Sequence, residues 1–345
     1  MADRVGLYLH DSTSIQESIK IVQKAEREGL YAIWQAEPRL SRSAIVMLSS
    51  FASTTNRIKL GTAVINIWTR NVATLSASFL SLDELAPDRI MLGLGAWYDP
   101  LASQVGVSRN KPLLAMREFV DTTRALLNME RVSFSGEHVR LYDLQLDERT
   151  IAPIPRHVPL YIGATGPRMM AVAGEIADGV ILTHLVSPHY TQGAIEQLLV
   201  GANKAGRALD TIDRPQVIVC SIDNDKPDVA IDRARKLVTL FLRQQPGMMR
   251  VSGVRQELID EIAQVLPINP HESQINDAMH LVPDDVVHLV TATGTVKQAR
   301  EKVREYIAAG ATYPVLYPLG NVNYIIDQFA NGYSRDDDPV REFFN

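Results

Sequence analysis

Residues Tyr161–Ile181 read YIGATGPRMMAVAGEIADGVI. A short apolar run ends at Gly163. A turn of Gly-Ala-Thr-Gly-Pro-Arg follows, then apolar residues at helical spacing, then a second apolar run from Gly179. This is one strand–turn–helix–strand unit, the element from which parallel sheets are built. The turn is unusual in its chemistry. Gly163 and Gly166 let the backbone approach a ligand, and free N–H groups at a helix start attract anions. Pro167 suits a first helical position, and Arg168 offers a charged fork to a phosphate. By spacing alone, a phosphate cradle and a tight turn with a surface arginine are equally good readings. The turn lacks GxxxxGK and does not fit GxGxxG, so neither a P-loop nor a dinucleotide fingerprint is present.

Outward from this unit, apolar runs and helical patterns alternate. The runs RVGLYLH, YAIWQAE, IKLGTAVINI, RIMLGLGA, VPLYIG, DGVILTH, PQVIVCSI and ATYPVLYPLG make eight expected strands. Between the first two, Ile15, Ile19, Val22 and Ala25 recur at helical spacing, and Gly29 ends the helix. Eight strands alternating with helices predict an α/β fold, a (β/α)8 TIM barrel, with a doubly wound open sheet as the alternative. Continuous apolar strands agree with a parallel sheet covered on both faces. Two stretches exceed the repeat. VSFSGEHVRLYDLQLD alternates like a hairpin, and residues from about 225 to 290 read as a helical insertion. The chain, 1–345, is read as one barrel domain.

Composition narrows the partners. The 345 residues are 46% hydrophobic and 22% charged, with net charge -5 and no basic block, so nucleic acid is not expected. No run is long enough to cross a bilayer, no leader is evident, and the lone Cys220 sits inside an apolar strand pattern. These features predict a soluble cytoplasmic protein with no membrane partner.

Barrel chemistry sits at the C-terminal ends of the strands. The third strand runs into Asn66, Trp68, Thr69 and Arg70, polar and aromatic groups able to hold a flat ring. The competing reading is that Trp68 covers the barrel end and Arg70 is solvated. In SLDELAPDR, Asp83, Glu84, Asp88 and Arg89 are expected to cap and ion-pair at the barrel bottom. His10, His184 and His189 fall at strand ends without zinc-ligand spacing, so they are expected to line a pocket and not to bind metal. No nucleophile motif such as GxSxG is present.

The stretches LGTAVINIWTRN, TLSASFLSLDELAPDRIMLGLGA and PLYIGATGPRMMAVAGEIADGVIL resemble the bacterial-luciferase-like superfamily. They are most similar to its deazaflavin (coenzyme F420) branch, typified by methylenetetrahydromethanopterin reductases. The resemblance spans nearly the whole chain. It implies an F420-dependent oxidoreductase that moves a hydride between C5 of the deazaflavin and a small substrate, possibly a methylene-tetrahydropterin or folate C1 carrier. It implies a non-prolyl cis peptide at Ala63–Val64 behind the ring. It makes Asn66, Thr69 and Arg70 cofactor-lining, and Gly163, Ala164, Thr165, Gly166, Pro167, Arg168 and Met169 the phosphate turn. It also implies a homodimer or homotetramer. Many relatives carry Asp-His after the second strand, where this chain has Glu37 and Pro38. Glu37 is therefore the expected residue to position substrate or move a proton, with ion-pairing to Arg39 or Arg42 as its alternative. Asp99, in GLGAWYDP, is the second catalytic candidate, and Trp97 and Tyr98 are expected to touch substrate. An FMN-dependent monooxygenase and a non-catalytic flavin- or deazaflavin-binding protein are the alternative functions.

Overall fold

A computed structural model describes residues 3–147 and 154–334 of the chain. Eight parallel strands form the frame: β1 (Gly6–Leu9), β2 (Ala32–Gln35), β3 (Lys59–Thr62), β4 (Ile90–Gly95), β5 (Leu160–Ala164), β6 (Gly179–Leu182), β7 (Pro215–Ile222) and β8 (Tyr313–Pro318). Each of β1 to β5 pairs with the next, β5 pairs with β6, and β1 pairs with β8. The ring closes where β7 joins β8 from Pro215 to Cys220 and meets β6 at Gln216–Leu182. The sheet is therefore a barrel, and the open doubly wound alternative is excluded.

Side chains alternate across the wall. Leu7, Ile33, Leu60 and Leu316 point outward into the main core. Tyr8, Trp34, Met91, Tyr161, Ile181, Val217 and Tyr313 fill the barrel interior. Trp34 is wholly buried and donates through Nε1 to the Tyr313 hydroxyl at 3.1 Å. Room for its indole comes from Gly61, where a Cβ would lie 2.6 Å from the Trp34 ring. Lower down, Asp213 accepts from Tyr161 Oη at 3.0 Å and from Thr312 Oγ1 at 2.6 Å, and pairs with Arg4. The barrel is a packed core open to chemistry only at the far end.

The covering helices are α1 (Ile15–Arg27), α2 (Ala44–Ala52), α3 (Val72–Leu85), α4 (Pro112–Leu127), α5 (Pro167–Ile176), α6 (Pro188–Lys204), α7 (Pro227–Gln244), α8 (Val296–Ala308) and α9 (Val322–Phe329). Gly29, at φ +83°, ends the α1 region in a conformation suited to glycine. The hairpin is present as antiparallel strands Val132–Ser135 and Arg140–Leu144. It is pinned by Glu118 of α4, whose carboxylate accepts the N–H groups of Glu137, His138 and Val139. After β7, helices 246–251, 256–265, 272–278 and 284–290 join α7 around a second apolar core of Val238, Leu242, Ile259, Ile262 and Val287. The sequence reading lacks the strand Ala292–Gly294, which adds to β7 at Cys220–Ile222, and the helix α9. Three residues are too few to show an alternation.

The LDELAPDR segment holds the bottom of the barrel differently from expectation. Arg89 is 8% exposed and forms no ion pair there with Asp83 or Glu84; it donates to Ala52 O, Thr55 O, Ile58 O and Thr55 Oγ1. The same loop gives the N–H groups of Asn56, Arg57 and Ile58 to Glu26 of α1. Cation and anion thus satisfy opposite halves of one loop's backbone, the carbonyls by Arg89 and the amides by Glu26. Asp83 instead pairs with Arg156 at 3.4 Å. Replacing Arg89 by Met strands several carbonyls, and we expect thermal or urea unfolding to show a loss of about 3 kcal/mol with the fold class retained.

Candidate active site at the barrel mouth

The peptide Ala63–Val64, after β3, is cis. Ala63 N–H donates to Gln35 O at 2.8 Å, and Ile65–Asn66 pairs with Leu94–Gly95 of β4. The Val64 side chain points across the neighbouring strands. A Cβ on Gly95 would sit 2.4 Å from Val64 Cγ2, and one on Gly163 would sit 2.9 Å from Cγ1. The bulge of β3 is therefore seated on the ends of β4 and β5, and the glycines of GLGA and YIGA are the seat. The third-strand bulge and the glycine turn, far apart in sequence, meet at one rim.

The turn itself continues from Gly163 to an exposed helix start. Thr165, Gly166, Pro167 and Arg168 face solvent. Gly166 precedes α5, Pro167 is its first residue, and no side chain caps that end. A Cβ added at Gly166 would meet nothing within 4 Å. Tyr190 of α6 donates its hydroxyl to Thr165 O at 2.7 Å and fixes the turn from below. Ala164 and Met169, expected in the phosphate turn, are buried at 4% and 9% exposure. Both belong to the apolar core under the turn, so they anchor it by packing.

Beyond the bulge, Asn66 is 2% exposed, and its Oδ1 accepts from Trp68 N, Thr69 N and Thr69 Oγ1 at 3.0–3.1 Å. Its Nδ2 is buried without a partner among the described residues. Trp68 donates through Nε1 to Ala96 O at 2.8 Å. Arg70 is not solvated. It forms a two-pronged pair with Glu37, Nη1–Oε1 at 2.5 Å and Nη2–Oε2 at 2.9 Å. Glu37, 2% exposed, also accepts the Ala44 N–H at the start of α2. The partner of Glu37 is thus Arg70, and neither Arg39 nor Arg42. Both carboxylate oxygens are occupied, and the pair joins the bulge loop to α2. Asp99 lies on the outer loop after β4 with its side chain 55% exposed; it accepts from Ser103 at 2.7 Å and approaches Arg109. Trp97 from the same loop donates to Pro38 O at 3.1 Å, folding that loop over the one after β2.

The histidines at strand ends fall into two groups. His189 is exposed on α6. His10 and His184 join an aromatic cluster: Tyr8 and Tyr317 lie 4.9 Å apart, His10 stacks on Tyr317 at 5.9 Å, and His184 meets Tyr317 edge-on at 5.7 Å. Burial, with the nearby His10 adding to it, lowers His184 to about 4, so it is neutral at ordinary pH. Tyr8, Asp11, Arg39 and Tyr317 complete this part of the mouth. Arg39 was expected only as an alternative ion-pair partner of Glu37, and Tyr8, Asp11 and Tyr317 carry no motif that marks them, although each lies at or near the C-terminal end of a strand. No group of three potential metal ligands occurs among the described residues.

The family model for luciferase-like monooxygenases matches residues 1–313. The chain belongs to the luciferase-like monooxygenase family. Among curated members, a 5,10-methylenetetrahydromethanopterin reductase of Methanolobus tindarius is 28% identical over 317 residues, covering 91% of this chain and 94% of the relative. An F420-dependent glucose-6-phosphate dehydrogenase of Nakamurella multipartita is 29% identical over 294 residues, covering 84% and 80%. The solved structure of a coenzyme F420 dependent tetrahydromethanopterin reductase from Methanopyrus kandleri superposes with a TM-score of 0.86 at 24% identity, covering 96% and 98%. Within this luciferase-like barrel, the bulge and the glycine turn are the joined features of the mouth.

Two changes test that joint. Gly95→Ala drives a methyl into Val64 and should lower stability by roughly 1–3 kcal/mol in denaturant melts. Adding Val64→Ala should recover much of that loss, a coupling that independent sites would not give. Arg70→Met leaves the buried Glu37 carboxylate with only the Ala44 amide, and we expect about 3 kcal/mol of destabilisation by the same measurement.

Proposed function

We propose that this protein is a coenzyme F420-dependent oxidoreductase that moves a hydride between the deazaflavin and a small substrate. The observation that carries this reading is the contact of Val64 with Gly163 and Gly95. It places the cis bulge and the open glycine turn on one rim, as a cofactor with a flat ring and a phosphate tail requires. The curated relatives of both kinds named above are F420-dependent oxidoreductases or methylenetetrahydromethanopterin reductases.

The residues present fit the group. Gly166 is open to solvent, the α5 N-terminus is uncapped, and Arg168 stands exposed beside it, a combination suited to a phosphodiester. Gly163 and Thr165 would let it approach the backbone. Ala63 and Val64 are half-buried at the rim and offer an apolar backing for a ring. The unpartnered Asn66 Nδ2 and the exposed Thr69 add donors beside it. When bound, the deazaflavin supplies the two-electron hydride centre; the protein orients it and excludes water. Arg70 and Glu37 act on this site by holding the bulge loop, since each occupies the other. Asp99, with Trp97 and Tyr98, stands on the loop able to close over a substrate.

We further infer a C1-carrier substrate, a tetrahydropterin or folate, and a cytoplasmic homo-oligomer. No helix among the described residues is long and apolar enough to cross a membrane. Titration of the purified protein with F420 and, separately, with FMN tests the cofactor. We expect F420 to bind and to be reduced or oxidised with a suitable donor. Binding of FMN with none of F420 would establish the monooxygenase reading, and F420 binding without turnover on any donor the non-catalytic one. Arg168→Ala should weaken F420 binding by about 5- to 150-fold, the equivalent of one lost charge-assisted contact; unchanged affinity would remove Arg168 from the phosphate site.

A further inference from the structure

Asp11, two residues past β1, is wholly buried at 0% exposure. Neither of its carboxylate oxygens receives an aligned hydrogen bond from the described residues. Two side chains stand beside it: His10 Nδ1 is 3.0 Å from Oδ1 and Arg39 Nη2 is 3.8 Å from the same atom. An under-satisfied buried carboxylate is expensive and is characteristic of a site built for function. Arg39 lies against the same imidazole edge, with Nη2 2.6 Å from His10 Nε2 and 3.3 Å from Nδ1. A guanidinium only donates, so the Nε2 facing it most closely is suited to accept. His10 thus sits against both the Asp11 carboxylate and the Arg39 guanidinium.

The ring also faces the reaction mouth. His10 stacks on Tyr317, which packs against the barrel interior together with Ala63 and Val64 of the bulge. The other proton carriers expected there are placed otherwise. Both oxygens of Glu37 are taken by Arg70 and Ala44, and Asp99 is out on its loop.

We propose that His10 is the residue that exchanges a proton with the substrate, that Asp11 is its positioning residue, and that the substrate carries an oxygen or nitrogen on its reacting carbon. This rests on the oxidoreductase reading. In the oxidising direction the substrate's O–H or N–H bond breaks and its proton forms a bond to Nε2, the freed pair becomes the second bond between heteroatom and carbon, and the C–H pair of that carbon leaves as hydride to the two-electron acceptor of the proposed oxidoreductase. In the reducing direction the same proton returns. Arg39, 55% exposed in its side chain, is the donor that a substrate heteroatom displaces at Nε2.

Asp11, Arg39, His184 and Tyr317 face His10, and Tyr8 and Tyr98 stand beside the same Asp11–Arg39 pair. Burial first, then Arg39, lowers the His10 imidazole, while Asp11 raises it. His10 is thus held toward its neutral form, the one that can accept a proton. Neutralising Asp11 removes the raising influence, so Asp11→Asn should move the His10 midpoint to lower pH.

Two measurements decide this. The first is the pH profile of F420-dependent turnover. We expect His10→Gln to lower kcat by about 100-fold or more with F420 affinity within twofold of wild type. The limb set by His10 should vanish in that variant, and in Asp11→Asn it should move to lower pH. The exposed His280→Gln serves as control. His10→Gln with wild-type kcat and an unchanged profile overturns the assignment and leaves the oxidoreductase reading standing. A wild type that neither binds nor turns over F420 overturns both. The second needs no cofactor: NMR titration of the His10 ring in wild type and Asp11→Asn. A midpoint that does not fall in the variant overturns Asp11 as the positioning residue. Should His10→Gln fail to fold, the Asp11→Asn shift in both readouts decides the question.

Discussion

The contact on which the site depends is small. A valine side chain from the end of β3 lies against two positions, Gly95 and Gly163, where any Cβ would collide with it. Interiors are close-packed and do not yield to an added methyl. The arrangement therefore fixes three neighbouring strand ends relative to one another. The glycine turn, the bulge and the loop after β4 share a rim because this one side chain fits.

Around that seat, charge holds the loops. Arg70 and Glu37 tie the bulge loop to α2 through a bidentate pair and the Ala44 amide. At the opposite end, Arg89 and Glu26 divide the polar groups of one loop between them. In both places a buried or half-buried ion serves the backbone, which explains why neither arginine is spent on solvent. Asp11 and Asn66 Nδ2, both at the mouth, are among the buried polar groups that have no partner among the described residues. A ligand seated there could meet their hydrogen-bonding capacity.

The catalytic reading follows from which groups are free to act. Glu37 is committed to holding, Asp99 stands in solvent, and His184 is neutral under burial. Of these groups, His10 combines partial exposure at the mouth with the Asp11 carboxylate and the Arg39 guanidinium against its ring. A proton carrier requires that kind of placement more than it requires any particular sequence motif.

The sequence by itself determined the eight alternating strands and helices; that the ring closes, between β7 and β6, was decided by the structure. Eight apolar runs and their helices are a strictly local signal, and so are Gly29 as a stop, Pro167 at a helix start and the hairpin before β5. The bulge at Ala63–Val64 and the glycine turn were also legible, though through resemblance and not through periodicity. Tertiary structure alone decided the partners. Nothing local says that Glu37 will meet Arg70 and not Arg39, that Arg89 will bind carbonyls and not carboxylates, or that Met169 will turn inward. Nor could three residues announce the strand Ala292–Gly294. The physical reason is common to all of these: alternation and turn chemistry are set by neighbours along the chain, whereas ion pairs, burial and the seat of Val64 are set by strand ends that only barrel closure brings together.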